Sequence, residues 1–464
     1  MRLLPFVPIA AAALFASAAL LASAAAVAQP LTFGHAADPL EVPQQRTFGT
    51  VAQSEIALLA GPSFIDDRWR AFGGVEARLV TGRLGAGVLV PGRTGVTGVY
   101  QEDYDEPYDA LRRLLHLRLN PTPTSPLYLR LGPIEHLRLG TGHLLDGFAT
   151  TAAWEERTLG VEAAARVGAV SLAGFLEDVR LNGLVGGQVA VRPLRRLPGA
   201  FGRLQLTLEG TYDLTTAELR ASAPADSVAL PLALGATLQA PLRGEVFTVG
   251  PYATGAYQWE RGGSAEIGLE AMAVRFADLV DLHARLGLYG FESGVRVAPF
   301  DAFYPLTRRG EIVQADPFFE TPGRPRTPAR FAADSIEAGG GLLFDVQIRL
   351  GESLLLAQTL RLPTDGQPLG AHRLRAAYAT SQGLRFVFAF ERGGVRKLSD
   401  IVQGFDADLT TLRFDVDYPV TRRIVARMRA RYGFRRLPSD PLALPDAYLV
   451  ERRFEPMVGL RYRF

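Results

Sequence analysis

Apolar and polar residues alternate one by one over long stretches of this 464-residue chain. Alternation at period two marks a β-strand with one apolar and one polar face. Residues 385–391 place Phe386, Phe388 and Phe390 on one face. Residues 412–418 set Leu412, Phe414, Val416 and Tyr418 against Arg413, Asp415 and Asp417. Residues 423–434 set Ile424, Ala426, Met428, Ala430, Tyr432 and Phe434 against Arg423, Arg427, Arg429 and Arg431. The chain ends with Val458, Leu460, Tyr462 and Phe464 against Arg461 and Arg463. Helical periodicity is weak throughout.

These runs predict strands at 50–60, 69–80, 82–90, 112–119, 126–140, 157–167, 169–179, 183–192, 201–214 and 228–240. Further strands follow at 244–259, 263–276, 279–298, 336–350, 353–362, 370–380, 383–391, 408–418, 421–434 and 453–464. The strongest runs are ~9–12 residues long, the length of a tilted membrane-crossing strand, and several apolar faces end in aromatic residues. Short links at 350–352, 381–383 and 419–420 alternate with mostly longer ones at 91–111, 141–156, 299–335, 392–407 and 435–452. The expected fold is all-β: a single large transmembrane antiparallel up-and-down β-barrel of about twenty strands, with eighteen or sixteen as alternatives. No segment reads as a plug.

Composition narrows this picture. Net charge is +2, which gives no case for nucleic-acid binding. The absence of cysteine excludes disulfides and thiolate chemistry. Arg2 is followed by an alanine-rich apolar run to Ala28, ending Ala26-Val27-Ala28. That pattern reads as a secretory signal peptide over 1–28. Residues 29–48 form a short polar tail, and 49–464 form the barrel.

Lys397 is the single lysine among 50 basic residues, so the charge is carried by arginine. Four arginines on one strand face cannot meet lipid, where each would cost about 2–4 kcal/mol at mid-membrane. Arg373, Arg375, Arg385, Arg413, Arg423, Arg427, Arg429, Arg431, Arg461 and Arg463 therefore read as lining the lumen, with Asp345, Glu391, Asp415 and Asp417 among them. Ten arginines against four acids leave a surplus of six. Two readings follow: an anion-favouring channel, or a wall braced by Arg–carboxylate pairs.

No catalytic or metal motif stands out. The six histidines form no H-E-x-x-H pair, and no nucleophile elbow or phosphate loop occurs. Ser171, His143 and Asp178 can be grouped only by free choice. Gly140-Thr141-Gly142 reads as a bend or a close approach. Five carboxylates crowd residues 102–109 without calcium-loop spacing. The 299–335 loop, with Arg308, Arg309, Arg324, Arg326 and Arg330, either folds into the lumen or covers its mouth.

The final nine residues, 456–464, resemble the C-terminal signature of bacterial outer-membrane barrels, which end in phenylalanine after alternating apolar positions. The resemblance implies that Val458, Leu460, Tyr462 and Phe464 address the barrel-assembly machinery. Residues 129–148, with 191–194, resemble uncharacterised porin-like outer-membrane proteins of Bacteroidota-type bacteria. The expected function is a passive outer-membrane pore for small hydrophilic solutes, with anion preference and no cofactor. The alternatives are a structural or surface-interaction barrel binding a partner or glycan through its outer loops, an apolar-solute transporter, and last an enzyme. Outer-membrane lipid and lipopolysaccharide are the expected surroundings, and the 102–109 loop is expected to be solvated or bridged to lipopolysaccharide by divalent ions. The mature chain is expected to begin at Gln29, which intact-mass measurement of membrane-extracted protein checks; a mass retaining residues 1–28 contradicts it.

Overall fold

The computed structural model describes residues 54–464 except 67, 96–97, 101–103, 105, 121–126, 200, 216–231, 244–246, 277–279, 308–310, 316–321, 326–335, 351–352, 381–383, 402–408 and 437–446. The expected signal peptide and polar tail lie outside these residues. So do Arg308, Arg309, Arg326 and Arg330 of the longest loop.

The sheet has 24 strands, of which four are short side pairings: Gly98–Val99, Leu242–Arg243, Glu311–Ala315 and Pro322–Pro325. The other twenty form the wall, matching the expected count. They begin with β1 (Glu55–Ile65), β2 (Arg68–Thr81), β3 (Leu84–Gly95), β4 (Leu114–Leu119) and β5 (Leu127–Gly132). Next come β6 (Gly160–Val167), β7 (Val170–Leu176), β8 (Leu184–Val191), β9 (Gln205–Asp213) and β10 (Leu232–Gln239). Then follow β11 (Phe247–Gln258), β12 (Gly262–Phe276), β13 (Val280–Phe291), β14 (Gly339–Leu350) and β15 (Leu354–Pro363). The last are β16 (Gly370–Ala379), β17 (Arg385–Val395), β18 (Thr410–Pro419), β19 (Ile424–Arg436) and β20 (Ala447–Arg463). Each strand pairs antiparallel with the next, and β1 pairs with β20, from Glu55 opposite Arg463 to Ile65 opposite Arg453. The sheet is closed and its wall has no free edge.

Both termini of the wall lie at one end, with short turns such as 82–83 and 168–169. Gly168 takes φ 61°, which the tight β6–β7 turn requires. The long connections 133–159 and 292–338 leave the other end. The outside is apolar: Leu58, Ile267, Leu286, Leu288, Val458 and Leu460 are each more than half exposed. A solvent-facing surface of that kind is unstable in water and suits hydrocarbon. Among the described residues no helix is long and apolar enough to cross a membrane.

Two expectations need correction. The strand expected at 126–140 ends at Gly132, where φ is 153° and the chain leaves the wall. The expected outer loop 141–156 instead runs inside the barrel. There Leu137–Arg138 and Asp146–Phe148 pair as a small separate sheet. Residues 292–307 join it through the bridge between Leu145 and Phe300 and the bond from the Ala298 N–H to the His143 carbonyl, 2.8 Å. Ile134, Leu137, Leu139, Leu144, Leu145, Phe148, Phe300 and Tyr304 pack against Phe175, Leu184, Ala233 and Ala256 of the wall. The lumen thus holds a folded segment with its own apolar core. The loop after β13 also enters the lumen, as one of its two expected options had it, over Phe300–Thr307.

Alternation makes an outward position intolerant of charge. Leu286→Arg is expected to reduce the heat-modifiable folded band on gels sharply, consistent with about 2–4 kcal/mol for arginine facing lipid at mid-membrane. A folded yield equal to that of the unsubstituted protein contradicts the outward assignment.

Candidate functional site: the charged lumen

The lumen segment is fixed by charge as well as by its core. Asp146 is fully buried and pairs with three guanidiniums: Arg138 on its own segment (2.5 Å), Arg361 on β15 (3.3 Å) and Arg373 on β16 (2.8 Å). Arg138 reaches on to Asp345 of β14, 2.5 Å away. The glycine turn at 140–142 brings backbone carbonyls within reach of the wall. Arg285 of β13 donates to the Thr141 carbonyl, and Arg361 to the Gly142 carbonyl at 2.6 Å. His143 sits between Glu266 (3.0 Å) and Ser264 (2.9 Å) of β12. Gly147, with φ 71°, has no room for a β-carbon, which would lie 2.5 Å from the Arg373 guanidinium carbon. The bend expected at 140–142 is present.

At the loop end, the Tyr108 hydroxyl donates to Asp178 (3.0 Å) and accepts from the Leu159 N–H (2.8 Å). Arg180 stacks over the Tyr108 ring at 4.0 Å. Burial and the neighbouring Asp178 carboxylate push the hydroxyl up to about 12, against the opposing pull of the Leu159 bond. Of the carboxylates expected at 102–109, Asp109 turns back to pair with Arg112 at 2.5 Å.

The arginines expected to line the lumen fall into three groups. Some brace the wall. Arg427 is buried between Glu76 of β2 and Asp417 of β18; Arg429 shares Glu76 at 2.8 Å; Arg375 pairs with Glu391 of β17. The register sets Asp417 opposite Arg427 and Asp415 opposite Arg429. Others face open space. Arg413 lies 2.7 Å from Asp415 and 3.0 Å from Glu135 of the lumen segment. Arg431 stacks over the Trp154 ring at 3.4 Å. Arg385 lines the same space with no carboxylate in ion-pair range among the described residues. The rest sit near the turn end. Arg461 is buried beneath Arg463, which is 3.5 Å from Glu55. Arg423 is a correction: it is exposed on the β18–β19 turn, because β19 begins only at Ile424. Val458, Leu460, Tyr462 and Phe464 all face outward, each at least 60% exposed.

The expected surplus of six arginines is also corrected. Four acids were counted on the C-terminal strands. Glu76, Glu455 and the lumen segment's Glu135, Asp146 and Glu155 add further counter-charge. The remaining imbalance is concentrated in one cavity, with about 1070 Å³ of space free of protein atoms and open to solvent. It lies between β2–β5 and β17–β19. Arg78, Arg118, Arg130, Arg385, Arg413, Arg429 and Arg431 line it, against Glu135, Asp415 and Asp417. Behind that lining, Glu76 holds Arg78 and Arg429, and Glu162 holds Arg130 at 2.6 Å. Arg427 holds Asp417 and shares Glu76 from the same side. Of the lining arginines, Arg118 and Arg385 make no ion pair within 4.0 Å among the described residues.

No family model matches the chain, and no curated protein matches it in sequence. Among solved structures it is similar to the outer membrane protein OpdK of Pseudomonas aeruginosa, at 12% identity and TM-score 0.29, over 89% of this chain and 99% of that one. It is also similar to OccK8 (OprE) of Pseudomonas aeruginosa, at 11% identity and TM-score 0.31, over 89% and 98% of the two chains. For OpdO of the same organism the values are 14% identity and TM-score 0.31, over 89% and 96%.

Removing the Asp146 charge leaves buried Arg373 without its ion-pair partner and takes one carboxylate each from Arg138 and Arg361. Asp146→Asn is expected to lower the unfolding midpoint and open the lumen segment to protease, by about 3–5 kcal/mol if the pairs behave as buried ones do. An unchanged midpoint and cleavage pattern contradicts the assigned anchor.

Proposed function

We propose that the chain is an integral outer-membrane pore that passes small hydrophilic solutes passively, with a preference for anions. The observation that carries this reading is that Arg118 and Arg385, which make no ion pair within 4.0 Å among the described residues, line a cavity inside a closed barrel. Within about a Debye length, ~8 Å at physiological salt, their charge enriches anions over cations. Charges lining an aqueous passage act on ions before any contact is made. Arg413, Arg429 and Arg431 with Asp415 and Asp417 complete the lining, while Arg373, Arg375, Arg427, Arg461 and Arg463 belong to the scaffold or the rim.

The reading includes export by the 1–28 signal peptide and assembly through the outward apolar face of Val458, Leu460, Tyr462 and Phe464. Lipid and lipopolysaccharide surround the apolar wall. A second reading is favoured by the lumen segment, whose apolar core packs against the wall inside the barrel: a closed barrel that works through its outer loops.

The variant Arg118→Gln/Arg385→Gln separates the two. It removes unpaired charge, so folding should persist. In planar bilayers its reversal potential in a salt gradient should move toward cation preference, most at low salt. Arg427→Gln, which takes the ion-pair partner from buried Asp417 and one of three from Glu76, should instead lower the unfolding midpoint. An unchanged reversal potential in the folded double variant would sink the anion assignment.

A further inference from the structure

The basic cavity meets a second one on its loop-end side, lined by Arg375, Glu391, Thr411 and Glu451. The two share four residues: Glu135, Trp154, Arg413 and Arg431. Those four form the neck between the cavities. Across it the Glu135 carboxylate meets the Arg413 guanidinium at 3.0 Å, beside Arg431 on the Trp154 ring.

This ion pair differs from the others that fix the lumen segment. Its side chains are 31% and 24% exposed, whereas those of Arg138 and Asp146 are 2% and 0% exposed. Its two ends are also anchored independently of each other. Arg413 is oriented by Asp415 through its Nε at 2.7 Å. The Glu135 backbone is fixed because the Ile134 N–H donates to Thr150 (3.1 Å), the Thr150 N–H donates to the Ile134 carbonyl (2.8 Å), and Arg375 donates to the Glu135 carbonyl (3.2 Å). The Glu135 side chain is therefore held at its tip by Arg413, while the Arg413 guanidinium has a second hold in Asp415 that does not depend on Glu135.

We propose that Glu135 is a tethered occupant of an oxyanion site: its carboxylate holds Arg413 and narrows the neck, and a permeating oxyanion passes by taking its place. The proposal rests on the pore reading above. Exchange replaces one charge-assisted hydrogen bond with another of the same kind, so it needs no lost interaction at the guanidinium. A carboxylate or similar oxyanion matches the fork of a guanidinium, whereas chloride does not. The neck therefore discriminates among anions, while the cavity before it selects anions from cations.

The test uses the purified full chain in planar bilayers, bathed in potassium chloride or potassium acetate. Glu135→Ala should raise chloride conductance about threefold, the weight of a partly exposed ion pair. The acetate-to-chloride conductance ratio should fall in the same variant. Glu135→Gln keeps the side-chain size and should do the same, which guards against misfolding of the smaller variant; heat-modifiable migration confirms assembly of both. A conducting unsubstituted channel whose chloride conductance and acetate ratio are unchanged in both variants overturns the gate and leaves the pore. An unsubstituted protein silent in both salts overturns the pore reading and the gate with it.

Discussion

The structure depends on one constraint: within hydrocarbon, every backbone N–H and C=O of the wall must find a partner in the wall. The β1–β20 pairing meets it by joining the first strand to the last. Closure has a second consequence. Half of all wall side chains are turned into an enclosed space. The sequence fills that half with charge, and enclosed charge must be compensated or wetted. Both solutions are present. Asp146 binds three guanidiniums where no water reaches, and Arg118 and Arg385 line a cavity.

The lumen is not uniform around its circumference. From β8 to β12 the inward residues include Gln188, Thr207, Glu209, Thr237, Thr254 and Glu266, without an arginine among those described. From β14 round to β5 arginine dominates. The lumen segment packs its apolar core against β7, β8, β10 and β11 and turns Glu135 toward β18 and Glu155 toward β20. The open cavity is left along the basic arc. Scaffold and proposed passage are thus built from the same residue type, and what separates them is whether a carboxylate stands within reach. Arg427 touches two; Arg385 touches none within ion-pair distance among the described residues.

The wall was legible because its physical requirement is a sequence pattern. A strand facing lipid on one side and water or charge on the other must alternate, and each of the twenty wall strands overlaps an expected run. Residues 133–159 were not legible for the same reason. A segment packed inside the barrel meets apolar wall and charged wall in irregular order. Leu144 and Leu145 are adjacent and both fully buried, which no single period describes. That irregularity was itself a signal, since the expected strand 126–140 contains Gly132-Pro133, a poor interior for a central strand. The counter-charges were missed in part with it, because Glu135, Asp146 and Glu155 lie in that segment. Glu76 could have been found: it shares a face with Arg78 while Val75, Ala77 and Leu79 take the other.

The central claim is that an aqueous, anion-favouring path remains between the lumen segment and the basic arc. The most direct measurement is the zero-current potential of the purified, unsubstituted protein in a planar bilayer under a tenfold potassium chloride gradient. The account predicts steady unitary conductance and a reversal potential of the sign set by chloride. Silence of a demonstrably folded barrel, or a reversal potential of the sign set by potassium, would contradict it.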